Sequence, residues 1–183
     1  MLTGNEILKQ IKKGNIGIEP FNIDCLNPNS YNVHLSKKLK VYNNNVILDL
    51  KTTNNDFKEI IIPKEGLVLL PNTLYIGATE ETISSDKFIS AIDGRSSIGR
   101  LGIQVHLTAG FGDIGFNGTY TFEITVVQPV RIYPGYEIAQ VYFEKPTGKV
   151  DFLYRGRYQG QIEPTESKSN IPTEKIKDYH YKK

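Results

Sequence analysis

Residues 119–127 read TYTFEITVV. Tyr120, Phe122, Ile124 and Val126 alternate with Thr119, Thr121, Glu123 and Thr125. A period of two puts the apolar set on one face of a β-strand and the polar set on the other. Shorter runs of similar texture lie at residues 31–35, 46–50, 67–70, 74–78 and 137–144, separated by Pro, Gly and Asn clusters. Many short strands between turn signals predict an all-β sandwich or barrel, mainly β with short helices. No strand–helix–strand alternation is present, which argues against a Rossmann or TIM arrangement. The one helical pattern lies at the start. Thr3 and Glu6 make a capping-box pair, Ile7, Leu8 and Ile11 share a face, and Gly14 is placed to stop the helix. A helix this short must dock on something.

The 183 residues suit one domain with an arm. From Glu163 the chain turns to Lys, Glu, Ser, Thr and Pro, so residues 1–162 are expected to form the domain and residues 163–183 a flexible tail. A single cysteine, Cys25, cannot close an internal disulfide. With His34, His106 and His180 far apart and no paired-ligand motif, no zinc held by the protein is expected. Lys and Arg number 22 against 20 Asp and Glu, which does not suggest a general nucleic-acid binder. No apolar run approaches the roughly 20 residues of a membrane span. Residues 1–6 lack the basic and apolar regions of a signal peptide. The expectation is a soluble cytoplasmic protein without nucleic-acid or membrane partners.

Arginine is concentrated. Of five, Arg95 and Arg100 lie in residues 93–100 (DGRSSIGR), and Arg155 and Arg157 in residues 154–161 (YRGRYQGQ). Arg offers a planar fork of donors to phosphate oxygens, and Gly lets backbone approach a ligand. The two segments read either as a polyphosphate cradle or as surface turns with incidental charge. Neither matches a P-loop or a dinucleotide fingerprint. Residues 106–118 (HLTAGFGDIGFNG) read as a Gly-rich hairpin turning at Asp113, either ordinary or with its backbone close to a ligand. Glu123 is either a solvated strand residue or a functional carboxylate.

In this order, PNSY at residues 28–31, DGRSSIGR at 93–100, HLTAGFGDIGFNGTYTFE at 106–123, PGYEIAQ at 134–140 and RYQGQ at 157–161 resemble the deoxycytidine triphosphate deaminase family of the trimeric dUTPase superfamily. The resemblance spans residues 1–161. It implies a distorted, jelly-roll-like β-barrel of the dUTPase type, a homotrimer with active sites between subunits, and a C-terminal arm folding over bound nucleotide. It implies zinc-independent deamination of dCTP, with Glu123 as general base, Arg100 beside it and Ser96 orienting the water. Arg95, Ser97, Tyr154, Arg157, Tyr158 and Gln161 match phosphate-binding positions. Leu107 and Thr108 match base contacts, Asp113 the group holding the 3′-hydroxyl, and Phe116 the ring that excludes a 2′-hydroxyl. Mg²⁺ would arrive on the triphosphate. Residues 108–111 (TAGF) resemble the branch that also cleaves the product to dUMP and diphosphate. The chain departs from the family at Asn32 (usually Asp), Ser36 (often Gly), and Gly112 and Ile114 beside Asp113. The competing readings are a plain dUTPase, which needs no carboxylate like Glu123, and a non-catalytic nucleotide-binding or regulatory module.

Overall fold

The protein is described by a computed structural model over residues 1–43, 46–52 and 56–171. In chain order the elements are helix α1 (Gly4–Lys12), β1 (Ile16–Glu19), a 3-10 turn (Ile23–Cys25), β2 (Tyr31–His34), β3 (Lys38–Tyr42), β4 (Phe57–Ile61), β5 (Leu67–Leu69) and β6 (Tyr75–Ser85). Then come β7 (Ile89–Gly94), α2 (Ser96–Gly99), β8 (Ile103–Gln104), β9 (Phe111–Gly112), β10 (Asn117–Val126), β11 (Val130–Ile132) and β12 (Glu137–Glu144).

All the pairings are antiparallel. One sheet runs β4-β3-β6-β10-β8, with β1 also on β6; a second runs β2-β12-β7-β9; β5 and β11 form a ribbon. The all-β expectation therefore holds, although the described strands divide among separate sheets and close no single barrel. Phe122 and Ile124 of β10, Val33 of β2, Leu39 of β3, and Val141 and Phe143 of β12 are fully buried in one core. Each such side chain stabilises the fold by about 1.5–3 kcal/mol. Burial along β10 follows the alternation read from the sequence, with Thr121, Glu123 and Thr125 less buried than their apolar neighbours.

α1 forms where expected. The Thr3 hydroxyl accepts from the Glu6 amide at 3.4 Å, and Gly14 follows the helix at φ +70°. The Glu6 carboxylate, however, accepts from Gln10 Nε2 at 2.6 Å. It therefore satisfies a side chain one turn on. Ile7 buries the helix against the core.

Three expectations are corrected. Residues 46–50 form no strand, because β3 and β4 pair directly with each other and the segment belongs to the loop joining them. Residues 106–118 form no hairpin. β9 pairs with β7 while β10 pairs with β6 and β8, so the turn at residues 113–116 carries the chain from one sheet to the other. The front of the expected tail is docked: Glu163 meets Lys38 Nζ at 2.8 Å, Glu166 meets Lys40 Nζ at 2.6 Å, and Pro164 is buried. Residues 172–183 of that tail lie outside the described residues.

Candidate active site

A cleft of about 630 Å³ opens where β10, the residues before β9, the 113–116 turn and the C-terminal arm converge. Its lining includes Leu107, Thr108, Asp113, Phe116, Glu123, Tyr154, Tyr158 and Gln161. The topology explains the convergence. The polar face of β10 presents Thr121 and Glu123, and the Val105 carbonyl accepts from the Glu123 amide at 2.9 Å. The chain after Val105 is thereby carried over the Glu123 side chain. There Glu123 Oε2 accepts two backbone amides, from Leu107 at 3.0 Å and Thr108 at 3.1 Å. Two convergent N–H donors fix the carboxylate in place. The amides expected to meet a base are thus engaged by the carboxylate itself.

Behind them, His106 packs its ring near Phe122, with centroids 5.9 Å apart, and buries an Nε2 that has no hydrogen-bond partner. Burial pushes the His106 pKa down, only partly opposed by the charges of Glu123 and Asp93, so the neutral ring is favoured.

Aromatic rings wall the opposite side. Phe116 stands edge-on to Tyr120 (5.1 Å) and Tyr154 (6.0 Å). Tyr120 shares a short hydrogen bond with Ser90, and burial raises its phenol pKa to about 12. The tightest backbone approach is at Gly112, where a Cβ would lie 1.8 Å from Tyr120 Oη. The glycine that departs from the family pattern makes room for this phenol.

The arm closes the cleft from above. The Gln161 carbonyl accepts from the Thr119 amide at 2.9 Å, and Gln161 Nε2 donates to the Thr119 carbonyl (2.7 Å) and the Thr121 hydroxyl (3.2 Å). A Cβ on Gly118 would meet the Gln161 carbonyl at 2.7 Å, and one on Gly115 the Tyr154 amide at 2.9 Å. The glycine-rich segment admits the arm's backbone. Within the arm, the Tyr154 hydroxyl accepts from the Tyr158 amide at 3.3 Å, and Arg157 Nη1 donates to the Lys168 carbonyl.

The DGRSS segment lies elsewhere. Ser96 and Ser97 lie in the short helix α2, Arg95 and Arg100 cap its two ends, and none of the four lines the cleft. Gly102 is held opposite Val127, whose amide donates to its carbonyl at 3.0 Å. Val127 is four residues along from Glu123, which is about 13 Å of strand. Arg100 is two residues before Gly102 in the chain and does not line the cleft that Glu123 lines. Arg95 instead pairs with Glu137 Oε2 at 2.5 Å and donates to the Glu137 carbonyl at 3.1 Å. Asn32, on β2, donates to the same carboxylate oxygen at 3.1 Å. The aspartate usual at that position would repel Glu137, so the amide suits this chain.

Several lining residues escape sequence reading. Thr121 was findable, since it shares the polar face of β10 with Glu123. Ile76 sits opposite Glu123 in register on β6, and Tyr42 and Glu166 reach the cleft only because the arm docks on β3. Neither pairing leaves a local signal.

Two antiparallel sheets, a strand carboxylate held by backbone amides and an arm over the cleft define a small-molecule-binding β protein of the dUTPase type. The chain belongs to the dCTP deaminase-like family, whose sequence profile matches residues 1–146. It is 50% identical over 167 residues to a Clostridium beijerinckii protein named dCTP deaminase, dUMP-forming, covering 90% of this chain and 95% of that protein. It is likewise 50% identical over 159 residues to a Hathewaya histolytica protein of the same name, covering 87% and 91%. A 2′-deoxycytidine 5′-triphosphate deaminase from Agrobacterium tumefaciens shares the fold, with a TM-score of 0.63 and 19% identity over 79% of this chain and 47% of that one.

Proposed function

We propose that this protein is a dUMP-forming dCTP deaminase. The observation that carries the reading is the Glu123 carboxylate, held on Leu107 and Thr108 amides in the arm-covered cleft. The 50% identity to dUMP-forming relatives supports the product. Water adds to C4 of the cytosine with its proton passing to Glu123 and from there to N3, and the tetrahedral centre then passes its hydroxyl proton through the same carboxylate to the departing ammonia as the C4 carbonyl forms. A second water then attacks the α-phosphorus and diphosphate leaves. Asp113 takes the 3′-hydroxyl, Phe116 fills the space a 2′-hydroxyl would need, and Tyr154, Tyr158 and Gln161 close on the nucleotide. The substrate is the Mg²⁺ complex of dCTP.

Arg95, Ser96, Ser97 and Arg100 reach this cleft from a neighbouring copy in a homotrimer. That none of the four lines the cleft bearing Glu123 in a single chain supports that sharing. On this reading Arg95 exchanges Glu137, and Arg157 the Lys168 carbonyl, for phosphate oxygens. A cytoplasmic setting fits an enzyme drawing on free nucleotides, and no helix among the described residues is long and apolar enough to cross a membrane. Incubation with dCTP and Mg²⁺, followed by product identification, tests the reading. Equal yields of ammonia, dUMP and diphosphate are expected. Accumulation of dUTP would overturn the dUMP-forming assignment, and cleavage of dUTP without ammonia from dCTP would make the protein a plain dUTPase.

A further inference from the structure

A second cluster lies apart from the cleft, where the turn Ile23–Cys25 packs against β2 and β12. Cys25 Sγ stands 4.0 Å from His34 Nε2 and 3.8 Å from Glu137 Oε1, and ligand atoms of the three lie within 4.8 Å of one another. Tetrahedral zinc with bonds of about 2.0–2.3 Å spaces its ligand atoms about 3.3–3.6 Å apart. Closing the set takes side-chain shifts from a few tenths of an ångström at the thiol up to roughly 1.5 Å between the widest pair. His34 and Glu137 are register partners across β2 and β12, which fixes their backbones relative to each other.

Two of the three ligands are already oriented by further groups. His34 Nδ1 pairs with Glu81, a carboxylate 1% exposed that also accepts the His34 amide at 2.9 Å. With its proton on Nδ1, the ring turns the Nε2 lone pair toward Cys25. Glu137 Oε2 is taken by Asn32 and, without bound nucleotide, also by Arg95, which leaves Oε1 facing the thiol. A histidine backed by a carboxylate, and a ligating carboxylate with its other oxygen hydrogen-bonded, are the supports that metal sites use. Cys25 is buried, while the His34 and Glu137 side chains are 23% and 32% exposed, so an ion could enter past them.

We infer that Cys25, His34 and Glu137 form a three-ligand site for a borderline-soft divalent cation, zinc foremost, with water completing the tetrahedron. Mixed sulfur, nitrogen and oxygen donors favour zinc over Mg²⁺ or Ca²⁺. Binding moves the thiol proton to solvent and ties the 3-10 turn to both strands. It takes no part in the deamination proposed above, so a zinc-free protein remains a deaminase on that reading.

The test uses the full chain stripped with a chelator and then titrated with ZnCl₂ by calorimetry and with CoCl₂ by absorption. One Zn²⁺ per chain is expected, a thiolate-to-cobalt charge-transfer band should appear, and Tm should rise with free zinc. Cys25→Ser should abolish the band, and both Cys25→Ser and His34→Gln should weaken zinc binding by about a hundredfold or more. Absence of stoichiometric zinc binding, a cobalt complex without the thiolate band, or variants that bind zinc as tightly as the unaltered chain would each overturn the site. The cobalt spectrum of the unaltered chain decides the matter even if a variant fails to fold.

Discussion

At the scale of single residues, Glu123 carries the most weight. Its carboxylate accepts the Leu107 and Thr108 amides, and on the proposed reading its charge is what the reacting water requires. Glu123→Gln should therefore keep nucleotide binding and lower ammonia release from dCTP by about 10²–10⁴-fold; unchanged turnover would remove Glu123 from the chemistry. Gly112→Ala drives a methyl into Tyr120 Oη. It should destabilise the fold by about 1–3 kcal/mol, read by chemical denaturation. His106 gives a pH prediction. Its folded pKa is depressed by burial, so below about pH 6.5 the unfolded chain binds a proton that the folded chain resists. The contribution is full above that pH and is lost as pH falls. The drop in Tm between pH 7 and pH 5 should be smaller in His106→Asn than in the unaltered protein. Glu123 itself was legible in the sequence, because period-two alternation assigns its face. The two amides that hold it were not, because they come from a segment about fifteen residues earlier that only sheet pairing brings overhead.

Among the elements, the arm differs most from its composition. Residues 163–171 look solvated in the sequence, yet Glu163 and Glu166 find Lys38 and Lys40 on β3. The Lys40 pair is the better covered of the two, at 12% and 26% side-chain exposure, so it should count for more than an open surface pair. Lys40→Ala should loosen the arm, raise KM for dCTP several-fold with a smaller change in kcat, and increase proteolysis after residue 162. A KM equal to that of the unaltered enzyme would show that the arm closes without this latch. Local pattern also misplaced residues 46–50 and the 106–118 hairpin. Both are apolar or Gly-rich runs whose fate depends on which edge is free to pair, and β4 and β7 decide that.

For the molecule as a whole, Glu123 lines the cleft of a single chain and Arg100 does not. If the site is shared, Arg100→Ala and Glu123→Gln chains are each inactive alone. Unfolded together and refolded as random mixtures, they should regain about a quarter of the sites, since each site needs Glu123 from one copy and Arg100 from another. No recovery would place both groups in one chain by some other route. The sequence by itself determined the all-β class, the helix at the start, the strand that bears Glu123 and the family, because these rest on periodicity and ordered motifs that read locally along the chain. Tertiary structure alone decided the seat of the carboxylate on two amides, the docking of the arm, the absence of Arg100 from the cleft lining and the meeting of Cys25, His34 and Glu137. That last group spans residues 25–137, and its Cys25 and His34 were read from sequence without any metal partner. Antiparallel pairing of β2 with β12 makes neighbours of residues a hundred positions apart, and no local pattern records which strands will pair.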